Sequence, residues 1–270
     1  MKILGTCILC QIGRAEVPYY LSPIRMNIYS IEELCWFLVN DLYLADESIF
    51  NDDLADWLEN ELGLNALASK LRPKFGKYAD LQELIYPVLK EINYLTYEEI
   101  KAMNARILRY NSESYVTRAR KKGDTLIKNG ILVDAIRVYQ AALSRLEDAG
   151  PGSDLPESDF MQTPVIWHNL GCAWARLFQM EKASDCFFAA YRWTGSDEDL
   201  KTYLLSYRSC RTPLEYQSRL TELQVSDEVI SSINKSLEEF RRKPEPVVYA
   251  RDLDDLLTGL TEEYHRSTGA

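Results

Sequence analysis

The chain has 270 residues, of which 46% are hydrophobic and 27% are charged, and its formal net charge is −10. This composition is typical of a folded protein with a sizeable core. The excess of negative charge argues against a nucleic-acid binder, because phosphates attract cationic surfaces. No apolar run approaches the roughly 18–20 residues that cross a bilayer, so we expect no membrane partner.

The first 29 residues carry few helix signals. The apolar stretch from Lys2 to Cys10 is too short for a signal peptide and lacks a following cleavage site, which favours an uncleaved cytoplasmic protein. Ile3–Ile12 fits a short strand or an extended segment. Pro18 and Pro23 predict that the next stretch is irregular, because a residue before proline avoids the helical conformation. Its tyrosines suggest that it packs against a helical body.

Residues 30–110 predict an all-helical module with short connections. Ser30 and Glu33 form one capping-box pattern and Thr96 and Glu99 form another, each marking a helix start. The helices that we predict here cover about 30–44, 54–62, 64–74, 81–93 with a kink at Pro87, and 96–110. The core residues that we expect from the first helix are Leu34, Phe37, Leu38 and Leu42.

The second of these helices has an acidic face. Between Asp41 and Glu61 there is no Lys or Arg, while Leu54, Trp57 and Leu58 recur at helical spacing. The acidic side is either a solvated face or a docking surface for a basic partner.

A recurring pattern marks two predicted helices between residues 163 and 194. The residues that carry it are Trp167, Leu170, Gly171 and Trp174 in the first helix, and Ala183, Phe187 and Ala190 in the second. A mid-helix glycine costs about 1 kcal/mol relative to alanine, so Gly171 indicates close packing between helices. The pattern resembles a tetratricopeptide repeat (TPR), a unit of about 34 residues in which two antiparallel helices pair.

A weaker copy of this pattern lies upstream. Its members, at the offsets of Gly171, Ala183, Phe187 and Ala190, are Gly123, Ala135, Tyr139 and Ala142. The two glycines are farther apart than one repeat of about 34 residues. The excess falls on residues 147–160, which contain two glycines and two prolines. We therefore predict a loop at 147–160, inserted between two repeats.

The predicted fold class is all-α, with TPR-like antiparallel helical hairpins forming an α-solenoid. We assign a helical N-terminal module to 1–112, the repeats to 113–210 and a helical C-terminal cap to 211–270, because solenoids need an atypical end element. The helices that we predict beyond residue 112 cover about 114–129, 131–147, 163–179, 181–194 and 198–209, one after the Thr212–Glu215 capping box, one from Ser226 to Arg242, and 252–264.

The resemblance also implies a peptide-binding groove, lined by the first helix of each repeat. The residues at the groove positions are Arg120, Asp124 and Lys128 in the first repeat, and His168, Asn169, Cys172 and Arg176 in the second. Arg120, Lys128 and Arg176 make this face cationic, so we expect a protein or peptide partner that is acidic or ends in a carboxylate.

No pattern predicts a catalytic, cofactor or metal site. Cys7 and Cys10 have the spacing of a redox or zinc pair, but neither a βαβ context nor a second ligand pair accompanies them. The two histidines, His168 and His265, lie in no recognisable triad.

We therefore predict a non-catalytic interaction scaffold or adaptor. Two alternatives stay open. One is a ligand-binding regulatory module or an enzyme in the N-terminal helices, with a pocket around Trp36, Trp57 or the tyrosines. The other is a structural protein that self-associates into a homo-oligomer.

Overall fold

The computed structural model describes residues 11–46, 48–76, 80–150 and 154–242, together with Thr258 and Thr261. The chain divides into two compact units, residues 1–213 and 214–270. The predicted strand at Ile3–Ile12 lies mostly outside the described residues, as do Cys7, Cys10 and the predicted helix 252–264 with His265.

The described chain is mostly helical, as predicted, and its only sheet has two strands. The strands are β1 (Tyr19–Leu21) and β2 (Met26–Ile28), and 3-10 helices cover Leu42–Leu44 and Arg72–Lys74. The α-helices of the first unit are α1 (Ile31–Asn40), α2 (Asp52–Asn60), α3 (Asn65–Leu71), α4 (Leu81–Glu91), α5 (Tyr97–Ser112), α6 (Tyr115–Lys128), α7 (Leu132–Ala149), α8 (Glu157–Phe160), α9 (Thr163–Arg176), α10 (Met180–Thr194) and α11 (Asp197–Cys210). They are followed by α12 (Pro213–Glu222) and α13 (Asp227–Arg242).

Side chains at the helix starts explain several of these boundaries. The hydroxyl of Ser30 accepts from the Glu33 N–H at 3.3 Å, and the Glu33 carboxylate accepts from the Ser30 N–H at 3.1 Å. Thr96 and Glu99 make the same reciprocal pair at the start of α5. The capping boxes predicted at Ser30 and Thr96 are confirmed. They satisfy N–H groups that have no partner within the helix.

The stretch after Pro18 is not irregular, which corrects the prediction made from its prolines. Tyr19–Leu21 and Met26–Ile28 pair as an antiparallel hairpin. Pro18 precedes the first strand and Pro23 lies in the turn, so neither removes a hydrogen bond from the ladder.

The hairpin packs on the helical body through Tyr19, as its tyrosines suggested. The Tyr19 hydroxyl donates to the Ile49 carbonyl at 2.9 Å, and the ring lies 5.7 Å from that of Trp57. Burial raises the pKa of Tyr19 to about 12. Tyr20 points the other way and is exposed, as alternation along a strand requires.

One hydrophobic cluster extends through the first unit from Ala15 to Cys186. The four core residues predicted from the first helix are all buried in it. Further along the chain, α6 packs on α7, α7 on α9, α9 on α10, and α10 on α11. No helix of the described chain has both the length and the apolar character of a bilayer-spanning segment.

The segment without helix between the two repeat-like pairs is shorter than the predicted loop 147–160. Helix α7 continues to Ala149, and the short helix α8 occupies Glu157–Phe160. The side chain of Asp159 is buried and accepts a hydrogen bond from the Ser114 hydroxyl. This long-range contact fixes the end of the segment against the start of α6.

Candidate partner-binding surfaces

Glycine and an aromatic ring meet at equivalent places in the two helix pairs. A Cβ atom built on Gly123 would lie 2.5 Å from Cζ of Tyr139, and one on Gly171 would lie 2.7 Å from Cε1 of Phe187. Both distances are too short for a real Cβ, so each ring occupies space that only glycine leaves free. The buried alanines that flank the rings are Ala135, Ala142, Ala183 and Ala190.

The buried face of α9 is not centred on Trp167 and Trp174 as the sequence pattern predicted. Leu170 is buried as expected, but the fully buried positions beside it are Ile166 and Ala173. Trp167 and Trp174 are only partly buried. The Lys182 ammonium lies 4.3 Å from the centre of the Trp174 ring, a cation–π contact at the edge of the helix pair.

Asp124 is the polar centre of the predicted groove. One of its carboxylate oxygens accepts from the Tyr139 hydroxyl and from the Asn169 amide, both at 2.7 Å. The other accepts from Arg120 at 2.7 Å. Asp124 therefore joins α6, α7 and α9, and a role inside the fold accounts for an acid at this position.

The other cations of the predicted groove also have acceptors within the chain. Arg176 donates to the Ile127 carbonyl at 2.7 Å. Lys128 lies 3.3 Å from Asp41, whose side chain is fully buried. An acidic peptide at this face would have to compete with these internal partners.

His168 lies on the side of α9 toward α10 and α11. His168 Nδ1 is 3.4 Å from Asp199, and its ring meets the Phe187 ring edge-on with centroids 5.3 Å apart. Burial raises the pKa of Cys172, which lowers the thiolate fraction at neutral pH. The predicted groove residues therefore do not converge on one site: Arg120 and Asn169 bind Asp124, His168 lies beside Asp199, and Lys128 and Arg176 have separate acceptors.

Asp199 is held in its charged form by its neighbours. Burial alone would raise the pKa of this carboxyl. Hydrogen bonds from Thr194 and Ser196 and the charge of His168 outweigh burial, and the pKa is lowered. The Thr194 and Ser196 hydroxyls lie at 2.6 and 2.8 Å.

A cleft that the sequence did not predict opens beside the second helix pair. We call it the α7–α9 cleft; its volume is about 600 Å³. The apolar residues that line it are Leu143, Leu146, Leu155, Phe160, Trp167 and Trp193. Glu147 and Glu157 lie in the lining as well, and the Trp193 side chain is 58% exposed.

One buried polar atom in the α7–α9 cleft lacks a partner. Thr163 is 5% exposed, and within the described chain its hydroxyl makes no hydrogen bond. Buried hydroxyls are normally hydrogen-bonded, so an unpaired one in the wall of a cleft suits a polar group of a ligand. The sequence feature that could have indicated this cleft is the presence of Trp167 and Trp193. They lie on different helices, and only the fold shows that both line the same cleft.

Comparison of the chain with protein-family models, curated proteins and solved structures gives no match. Among the described residues no cluster of three His, Cys, Asp or Glu side chains is arranged to hold a metal ion.

Proposed function

We propose that the protein is a non-catalytic interaction scaffold whose residues 113–210 form TPR-like helical hairpins. Two observations support it. The glycine–ring contact recurs at the same offset in both helix pairs, and α6, α7, α9, α10 and α11 pack in sequence order. Stacked helix pairs of this kind leave extended surfaces free for partners.

The α7–α9 cleft is the surface on which we base the partner's chemistry. Its aromatic and aliphatic lining suits apolar side chains, because ligand pockets of roughly 300–1,000 Å³ are mostly apolar with a few polar groups. Glu147 and Glu157 have no ion-pair partner among the described residues. A peptide with an aromatic or aliphatic anchor beside a Lys or Arg would fill the cleft and neutralise these carboxylates.

A competing proposal places the binding site in the predicted groove, where Arg120, Lys128 and Arg176 would bind an acidic or carboxylate-ended partner. There the incoming carboxylate would have to displace Asp124 or Asp41 from their cations. Asp41 is fully buried, so taking Lys128 away from it would leave a buried carboxylate uncompensated, which is costly. The α7–α9 cleft requires no such exchange.

Peptide display on the purified protein distinguishes the two faces. A library of random linear peptides is selected on the full chain, and synthetic copies of enriched peptides are titrated against variants. Trp193→Leu tests the cleft, and the double variant Arg120→Glu, Arg176→Glu tests the groove. Trp36→Leu is the matched control, because Trp36 is also a half-exposed tryptophan but lies on α1.

We expect enriched peptides to combine an apolar anchor with Lys or Arg. Their affinity should fall by about tenfold or more in Trp193→Leu, the loss typical of an aromatic anchor, and stay unchanged in Trp36→Leu. Failure to enrich any peptide family would count against the scaffold. Acidic peptides that bind Trp193→Leu normally and lose binding in the double variant would move the site to the predicted groove.

A further inference from the structure

A second cleft lies where the hairpin meets the first turns of α1. We call it the hairpin cleft; its volume is about 390 Å³. The apolar and aromatic residues that line it are Leu21, Ile24, Met26, Ile28, Trp36, Phe37 and Tyr94. Phe37 is buried, whereas Met26 and Trp36 are about half exposed. The cleft thus has an apolar floor and an accessible aromatic wall.

The hairpin cleft contains a buried carboxylate with a free oxygen. Glu32 is 6% exposed, and its Oε1 accepts from the Gln11 N–H at 2.7 Å. No described residue bonds to Oε2. Glu33 also lines the cleft, but its carboxylate accepts from the N–H groups of Tyr29 and Ser30 in the capping box. Glu32 is therefore the carboxylate left for a ligand.

The free oxygen of Glu32 suits a ligand that carries a positive charge and donates a hydrogen bond. Burying an ionised carboxylate without a partner is costly, and none of the described lining residues is Lys or Arg. Trp36 follows Glu32 by one helical turn, so its ring lies on the same face of α1. A cation near the carboxylate would then be close to an indole face, the most favourable aromatic partner for a cation.

We propose that the hairpin cleft binds a small organic cation, an ammonium group carried on an apolar body. The ammonium would donate to Glu32 Oε2 and contact Trp36, while the apolar body would lie on the floor formed by Ile24 and Phe37. A metal ion fits less well, because the described residues offer no three-ligand cluster. This site is separate from the α7–α9 cleft and does not depend on the proposed scaffold function.

Calorimetric titration with 2-phenylethylamine, and with its uncharged analogue 2-phenylethanol, tests the site on the full chain. The amine should bind the wild-type protein at least about tenfold more tightly than the alcohol, because only the amine forms a charge-assisted hydrogen bond. Glu32→Gln keeps the shape and the acceptor for Gln11 but removes the charge, so it should abolish that preference.

Two further variants keep the test decisive if Glu32→Gln does not fold. Trp36→Leu should weaken amine binding by roughly threefold to tenfold through the lost cation–π contact. Tyr97→Leu changes an exposed aromatic residue of α5 that lines neither cleft, and it should leave amine binding unchanged. Equal affinity for amine and alcohol, no binding of the amine at millimolar concentration, or equal weakening by Trp36→Leu and Tyr97→Leu would each overturn the proposal.

Discussion

The two repeat-like helix pairs share one packing contact and differ in what surrounds it. In α6–α7 the ring against the glycine is Tyr139, and its hydroxyl bonds to Asp124. In α9–α10 the ring is Phe187, which has no polar group and meets the edge of His168. In both pairs the glycine lets the ring of the other helix pack closely, and only in the first pair does the ring also make a hydrogen bond.

Two lysines of α6 attach the first pair to earlier residues of the chain. Lys122 of α6 pairs with Asp46 at 2.7 Å, and Lys121 pairs with Glu113. The second pair instead contributes Trp167 and Trp193 to the α7–α9 cleft. The first pair thus makes the ion pairs to earlier residues of the chain, while the second pair supplies both tryptophans of the cleft.

The largest effect expected from this comparison is steric. Gly123→Ala should lower the free energy of unfolding by about 1–2 kcal/mol. Overpacking at so short a distance should cost about 2–3 kcal/mol, and the higher helix propensity of alanine offsets about 1 kcal/mol of this. Gly171→Ala should cost less, because Phe187 has no hydroxyl bond that holds its ring in place. Urea unfolding measures both.

Ser144→Ala is the control for this pair of variants, because Ser144 is an exposed residue of α7 that contacts neither ring. It should leave stability unchanged or slightly raised. If Gly123→Ala were as stable as the wild type, the close glycine–ring contact would not be a determinant of the fold.

The second prediction isolates the hydroxyl that distinguishes the two rings. Tyr139→Phe should lower the free energy of unfolding by about 0.5–1.5 kcal/mol, the usual net value of one hydrogen bond. Asp124 keeps its bonds from Asn169 and Arg120, so it is not left unpaired.

Gly123→Ala should lower the free energy of unfolding less in the Tyr139→Phe background than in the wild type, because the ring without its hydrogen bond can move away from the new methyl group. A thermodynamic cycle measures this coupling. Strict additivity would show that the hydroxyl does not restrain the ring.

Local sequence signals predicted the helices well and the polar partners poorly. The capping boxes at Ser30 and Thr96 act within a few residues, so they are visible in the sequence. The glycine and aromatic residues of each helix pair recur at a fixed spacing, so they are visible as well. The partner of Lys128 is Asp41, 87 residues away, and no local pattern marks it. The same limit hid the α7–α9 cleft, whose walls come from separate helices.

The hairpin was missed for a different reason. Pro18 and Pro23 favour irregular structure in the sequence, but proline interferes with a strand only where its missing N–H belongs to the ladder. Each strand has three residues, so both prolines fit outside the paired positions. A turn flanked by short strands is difficult to separate from a loop when the apolar alternation is this brief.

The smallest effect expected concerns the polar contact that joins the second pair to α11. The folded-state pKa of Asp199 is lowered below its ordinary value of 3.8. The unfolded chain therefore takes up this proton at a higher pH than the folded chain. The stabilisation from Asp199 is fully present above that ordinary value and is lost as the pH falls through the lower folded pKa.

Asp199→Asn should thus destabilise the protein near neutral pH, and its difference from the wild type should shrink as the pH falls below 3.8. Asp197→Asn is the matched control, because Asp197 is exposed in the same first turn of α11. Urea unfolding at several pH values compares the three proteins. A difference between Asp199→Asn and the wild type that stayed constant down to pH ~3 would mean that the carboxylate charge adds nothing to this contact. In that case the hydrogen bonds from Thr194 and Ser196 would hold residue 199 without help from a carboxylate charge, and the second pair would be joined to α11 without the ion pairs that attach the first pair to earlier residues.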